Sequence, residues 1–143
     1  MKSALILSSR HYIITALIQT RSHTLDLLAQ IDESLFFQQV HPEFSPIGWH
    51  FGHIAFTEAY WLEQLANLAF SFPEADQQLF AADGLPKQER QNLPPVEAIE
   101  EYLETTRRQT LNYLATAAVA QQERLWRWLI QHESQHCETI SFL

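Results

Sequence analysis

The chain has one cysteine, three glycines and no basic cluster longer than Arg107-Arg108. A lone thiol, Cys137, excludes an internal disulfide and suits a reducing compartment. With 17 acidic side chains against 9 basic ones and a formal charge of −8, it has no electrostatic footprint for nucleic acid or an anionic membrane. Long apolar runs are missing too. Ala4-Leu5-Ile6-Leu7 is too brief for a signal-peptide core, and nothing approaches the roughly 18 apolar residues of a membrane span. These absences predict a soluble cytoplasmic protein with neither nucleic-acid nor membrane partners. The scarcity of glycine, only six prolines and 46% apolar residues describe 143 residues with few sharp turns, one helical domain (1–143) around one core.

What is present recurs at helical spacing. Ile13, Ile14, Leu17, Ile18, Leu25 and Leu28 predict a first helix over about 9–31, capped by Ser8 or Ser9. Arg10, Arg21, His11 and His23 are read as its solvated face. Asp32-Glu33-Ser34 and the aromatics after it predict a short hook, ended by His41-Pro42. Ser45-Pro46 is a strong start signal, with serine as cap and proline in the first turn of a second helix running to about Ala69. Residues 70–94, punctuated by Phe70, Pro73, Gly84 and Pro86, are irregular apart from two turns over 74–82, and form a crossing or a rim above a site. Pro95 opens a third helix, a break falls near 116–121, and 125–143 reads as the last helix. Four such helices predict an all-α four-helix bundle.

His132 and His136 lie about 40° apart on the last helix, one turn above the other, within an apolar stripe of Leu125, Leu129, Thr139, Ile140 and Leu143. Two inward imidazoles are metal-ligand candidates that need a partner from a facing helix. The second helix offers His53 or His50. Trp49, Thr57, Tyr60 and Gln64 fall within about 40° of His53, an inward strip with more polar groups than a core strip needs, whereas His50 lies about 60° off, toward second shell or rim. That makes His53 the better-placed ligand. Glu133, Cys137 and Glu138 are turned about 80°, 120° and 160° away and are poor ligand candidates. Trp49 and Tyr60 also read as packing, and Trp126 and Trp128 as bulk at the base of the helix. Gly48 and Gly52, costly in a helix, point to close approach by a neighbour. An all-histidine set suits iron, nickel, zinc or cobalt alike.

Ser45-Pro46-Ile47-Gly48-Trp49-His50-Phe51-Gly52-His53 and Gln131-His132-Glu133-Ser134-Gln135-His136-Cys137-Glu138-Thr139 resemble the two signature segments of the DinB-like metal-binding superfamily. The likeness is greatest to the branch at the N-terminus of ergothioneine-type sulfoxide synthases. It implies an up-down-down-up bundle, with ferrous iron on His53, His132 and His136, and zinc or nickel as other ions for the same set. Gln135 and Glu138 become supporting residues, Tyr60 a candidate catalytic proton donor, and a low-molecular-weight thiol and dioxygen the partners. Enzymes of that branch join cysteine or glutathione sulfur to the imidazole carbon of trimethylhistidine as a sulfoxide, using a C-terminal formylglycine-generating-enzyme-like domain. A chain ending at Leu143 is then a piece or split component completed by that domain or subunit, or a free-standing relative, with a homodimer as the other alternative. Two other uses stay open: a stand-alone metal-dependent thiol transferase, and a non-catalytic metal-binding interaction module.

Overall fold

The computed structural model describes residues 2–68 and 72–143, with side chains from Ser9 onward. Among the described residues the chain is all helical, with no strand. Four helices are long: α1 (Lys2–Gln30), α3 (Ile47–Ala66), α5 (Val96–Leu114) and α6 (Val119–Phe142). The short α2 (Glu33–Phe36) and α4 (Glu74–Phe80), with a 3-10 turn at Lys87–Glu89, belong to the connections. α1 packs mainly on α6 and α3 mainly on α5, while α3 also meets α6 and α1 also meets α5. The long helices therefore close a ring around the interior.

Helix ends show which local signals govern. α1 starts at Lys2, so Ser8 and Ser9 lie inside it and cap nothing. A serine caps only where backbone N–H groups are open, and nothing in 2–8 breaks the helix. α3 begins directly after Pro46 as expected, but Ser45 is not its cap; its buried hydroxyl accepts a hydrogen bond from Arg90 Nη1 at 2.9 Å. α3 also ends earlier than expected. Asn67 takes the left-handed conformation at φ 56° and donates its N–H to the Glu63 carbonyl at 2.9 Å. Ala69 and Phe70 lie outside the described residues. Asp32 caps the hook through Ser34, and α5 follows Pro95. α6 starts at Val119 rather than 125, after a turn at 115–118 held by Arg10, which donates to the carbonyls of Leu114 and Ala117.

The two close approaches expected at the glycines are present. A methyl group at Gly48 would lie 2.4 Å from the Phe36 ring, and one at Gly52 would lie 2.0 Å from the Phe80 ring. α2 and α4 thus press their aromatics onto the bare faces of α3. Phe36 and Phe80 join Phe51, Ile99 and Leu103 in one apolar cluster, and Ile13, Leu17, Leu62, Leu114 and Trp126 form a second.

Between them the helices share a ring of buried charges. Arg21 of α1 and Arg107 of α5 alternate with Glu58 of α3 and Glu133 of α6. Arg21 grips Glu133 through Nε and Nη2 at 2.9 and 3.0 Å, and Arg107 grips Glu58 at 2.9 and 2.8 Å. The cross pairs, Arg21 to Glu58 and Arg107 to Glu133, are 2.8 and 2.7 Å. Arg21 also donates to the Leu103 carbonyl and Arg107 to that of Leu17, one residue from each apolar cluster. Thr24 donates to Glu133 at 2.5 Å and Thr110 donates to Glu58. Burial alone raises the Glu58 carboxyl, but Arg107 and Arg21 outweigh it and hold it down at about 2. Arg21, expected on the solvated face, is only 4% exposed. Periodicity cannot distinguish a charge in water from one paired across a core.

Removing one member leaves the others buried and unbalanced. Arg107→Met should cost about 3–5 kcal/mol in urea unfolding. Gly52→Ala, which must displace Phe80, should cost about 1–3 kcal/mol by the same measurement.

Candidate metal centre

α3 and α6 carry His53, His132 and His136 to one place. One ring nitrogen from each lies within 4.8 Å of the other two. His53 Nε2 and His132 Nε2 are 3.3 Å apart. Nitrogens about 2.1 Å from a common ion, at tetrahedral or octahedral angles, stand ~3.0–3.4 Å apart, so this pair is already spaced for coordination. The third ring packs beside both, its centroid 4.5 Å from that of His132 and 4.8 Å from that of His53. The group can hold a metal ion, and a donor set of three neutral imidazoles suits one.

The tautomer of His53 is set by the backbone. Its Nδ1–H donates to the Phe80 carbonyl at 2.7 Å, which leaves Nε2 bare toward the shared point. Trp49 stacks on the same ring at 4.6 Å and 11°, and donates its own Nε1–H to the Leu79 carbonyl at 2.7 Å. The Arg90 guanidinium lies 4.1 Å above the other side of this system, over the Trp49 ring, and donates to the carbonyls of Leu85 and Ala82. The connection after α4 is therefore a clamp on the ligand of α3, a firmer role than the rim or crossing expected of it. On α6, Trp128 stacks on His132 at 5.0 Å and 20°. Trp126 is core bulk as read, but Trp128 is 47% exposed and belongs to the site.

All four imidazoles here are held neutral. His132 is pushed down to about 4, first by burial and then by His53; His50 to about 4, by burial, then His53, Arg90 and Lys87. His136 is pushed down to about 2, by burial, then His53, His132 and His50. His53 is lowered by burial, although its bond to Phe80 opposes this. Neutral rings are what a cation requires.

A cavity of about 440 Å³ opens beside His53 and His132, walled by Phe56, Tyr60 and Trp128 and bounded by Thr57, Ala81, Ala82 and Asp83. Tyr60 is 41% exposed and Gln64 is exposed, so the expected inward strip of α3 ends near Thr57 and Tyr60 sits on the cavity wall, not in the core. Glu133 belongs to the charge ring and Cys137 is buried against Thr24 at 3.2 Å, so neither joins the three histidines. Gln135 and Glu138 are exposed. Sequence reasoning missed Arg90 and the Phe80 carbonyl. It also missed Glu58, although that carboxylate is the only charge between Ile47 and Leu62, which was signal enough.

Residues 16–140 match the DinB superfamily, and the chain belongs to it. It is 30% identical over 137 residues to Hercynine oxygenase from Mycolicibacterium smegmatis, an alignment covering 92% of this chain and 32% of that protein. The chain thus spans about a third of the length of this curated relative.

Because the folded imidazoles titrate below their ordinary range near 6.5, the unfolded chain binds more protons once pH falls under that value. The metal-free protein should hold full stability above about pH 6.5 and lose it progressively toward pH 4. Urea midpoints of chelator-treated protein at pH 7.5, 6 and 5 check this, and a flat profile would contradict it.

Proposed function

We propose that this chain is the iron-bearing domain of an oxygen-dependent enzyme that joins a low-molecular-weight thiol to a histidine-derived substrate such as hercynine. The convergence of His53, His132 and His136 beside an aromatic cavity carries the reading. The likeness to Hercynine oxygenase supports the substrate class and favours ferrous iron over zinc or nickel, which the donors would also accept. When bound, ferrous iron supplies Lewis acidity toward a thiol and electron transfer toward dioxygen. In the balance of the reaction, an S–H and a ring C–H are lost, a C–S bond forms, and one oxygen atom ends on sulfur while the other leaves as water.

The chain's own residues do the rest. Phe80 and Trp49 hold His53 in its ligating orientation. Phe56, Tyr60 and Trp128 give the open side of the centre an aromatic wall, which with Asp83 beside it suits a quaternary ammonium group. Tyr60 brings a phenolic hydroxyl to the wall and acts as proton donor to the departing oxygen.

Chain length relative to Hercynine oxygenase supports completion of the pocket by further polypeptide, a formylglycine-generating-enzyme-like domain or subunit, over a homodimer. Residues 1–143 act as one domain. Its up-down-down-up course is supported by the long connection between neighbours α3 and α5 and the short turn between α5 and α6. No described helix is long and apolar enough to cross a membrane, consistent with work on small polar substrates in the cytoplasm.

The test is metal content and turnover. Anaerobically reconstituted protein should hold one ferrous ion per chain, and His53→Ala, His132→Ala or His136→Ala should each abolish stoichiometric loading. With the completing polypeptide, hercynine and cysteine or glutathione should give a sulfoxide by mass spectrometry only when oxygen is present. Full loading in His136→Ala overturns the ligand set, and anaerobic turnover with zinc overturns the oxygen chemistry in favour of thiol transfer.

A further inference from the structure

His50 stands one turn before His53 on α3 and is not among the three converging rings. Its Nδ1 lies 3.0 Å from Nδ1 of His136, and the two ring centroids are 5.2 Å apart. Two neutral imidazoles joined in this way share a single proton: one ring donates from Nδ1 and the other accepts there. With Nδ1 engaged by His50, the nitrogen that His136 has left for an ion is Nε2. A ring that ligates through Nε2 must carry its proton on Nδ1. His136 is then the donor, His50 the acceptor, and His50 keeps its own proton on Nε2.

That last atom supplies an independent observation. His50 Nε2 is buried and has no hydrogen-bond partner among the described residues. A buried polar nitrogen without a partner is unfavourable for folding. Nothing on that side of the ring compensates for it, so the contact with His136 is what gives His50 its use. The other two ligands have supports of different kinds: a carbonyl for His53 and a stacked indole for His132. An acceptor for His136 is the piece that His50 alone provides.

We propose that His50 is a positioning residue of the metal centre: by accepting the Nδ1 proton of His136, it sets the tautomer and ring orientation in which His136 offers Nε2. The proposal rests on the reading of the three histidines as a metal site, and it assigns His50 no bond to the ion. It separates two properties that a structural residue would tie together. Removing the ring removes one unsatisfied buried atom and leaves another on His136, so the metal-free fold changes little, while metal affinity falls.

Zinc serves as the probe, because it is diamagnetic and needs no redox control. Wild type, His50→Leu and His50→Gln are titrated with zinc against a chromophoric chelator, and the melting temperature of each chelator-treated protein is measured. For His50→Leu the zinc Kd should rise about 10–100-fold, with one ion still bound at saturation and a metal-free Tm close to that of wild type. His50→Gln, whose amide oxygen can accept the same proton, should recover part of the loss. In zinc-loaded wild type labelled with 15N-histidine, long-range proton–nitrogen correlations should show His136 protonated on Nδ1 and His50 on Nε2. A His50→Leu Kd equal to wild type, or His136 protonated on Nε2 in the loaded protein, overturns the proposal. The second readout needs no variant and stands even if both substitutions misfold. Wild type that takes up no zinc overturns the metal reading, and the proposal with it.

Discussion

Everything in the interior is referred to the ring of Arg21, Glu58, Arg107 and Glu133, one residue from each long helix. A helix packed only by apolar ridges can slide or rotate by a fraction of a turn at little cost. Four buried charges with two-pronged contacts cannot be satisfied in any other register. Such a ring is a poor source of net stability, since desolvation offsets much of the attraction. Its effect is on uniqueness. Glu133 directly follows His132, and Glu58 sits little more than a turn beyond His53, so the register that satisfies the charges also aligns the imidazoles.

The three candidate ligand rings are therefore brought together by the helices themselves. They gather against the like-charge repulsion that protonation would bring, and burial keeps them neutral. A site assembled by its scaffold differs from a small zinc module, in which the ion itself organises the chain. Under the proposed reading, an ion here would enter a folded pocket beside an aromatic-walled cavity.

Much of this was legible in the sequence, for reasons that can be located. Prolines at 46 and 95 mark helix starts, although each stands as the cap just before the helix rather than in its first turn, where its missing N–H still costs nothing. The four-residue spacing of His132 and His136 places them together by helix geometry alone. Gly48 and Gly52 announced close neighbours, and Phe36 and Phe80 are those neighbours. What could not be read depends on residues far away in the chain. Arg21 and Glu133 are 112 positions apart, and each alone looks like surface. Ser45 is occupied by Arg90 rather than by the helix it precedes. Tyr60 and Gln64 share the angular face of His53, but a face is interior only as far as its neighbours extend, and past Thr57 the wall opens into the cavity.

The ligands are anchored unequally. His53 is tied to main chain and stacked on a clamped indole, whereas His132 and His136 lean on side chains. One arm of the candidate centre is thus fixed to main chain and the other two only to neighbouring side chains. Such a chelate adapts its bite to ions of different radius instead of rejecting them by shape. If the three histidines hold an ion, selection among first-row metals would then pass from the protein to cellular supply.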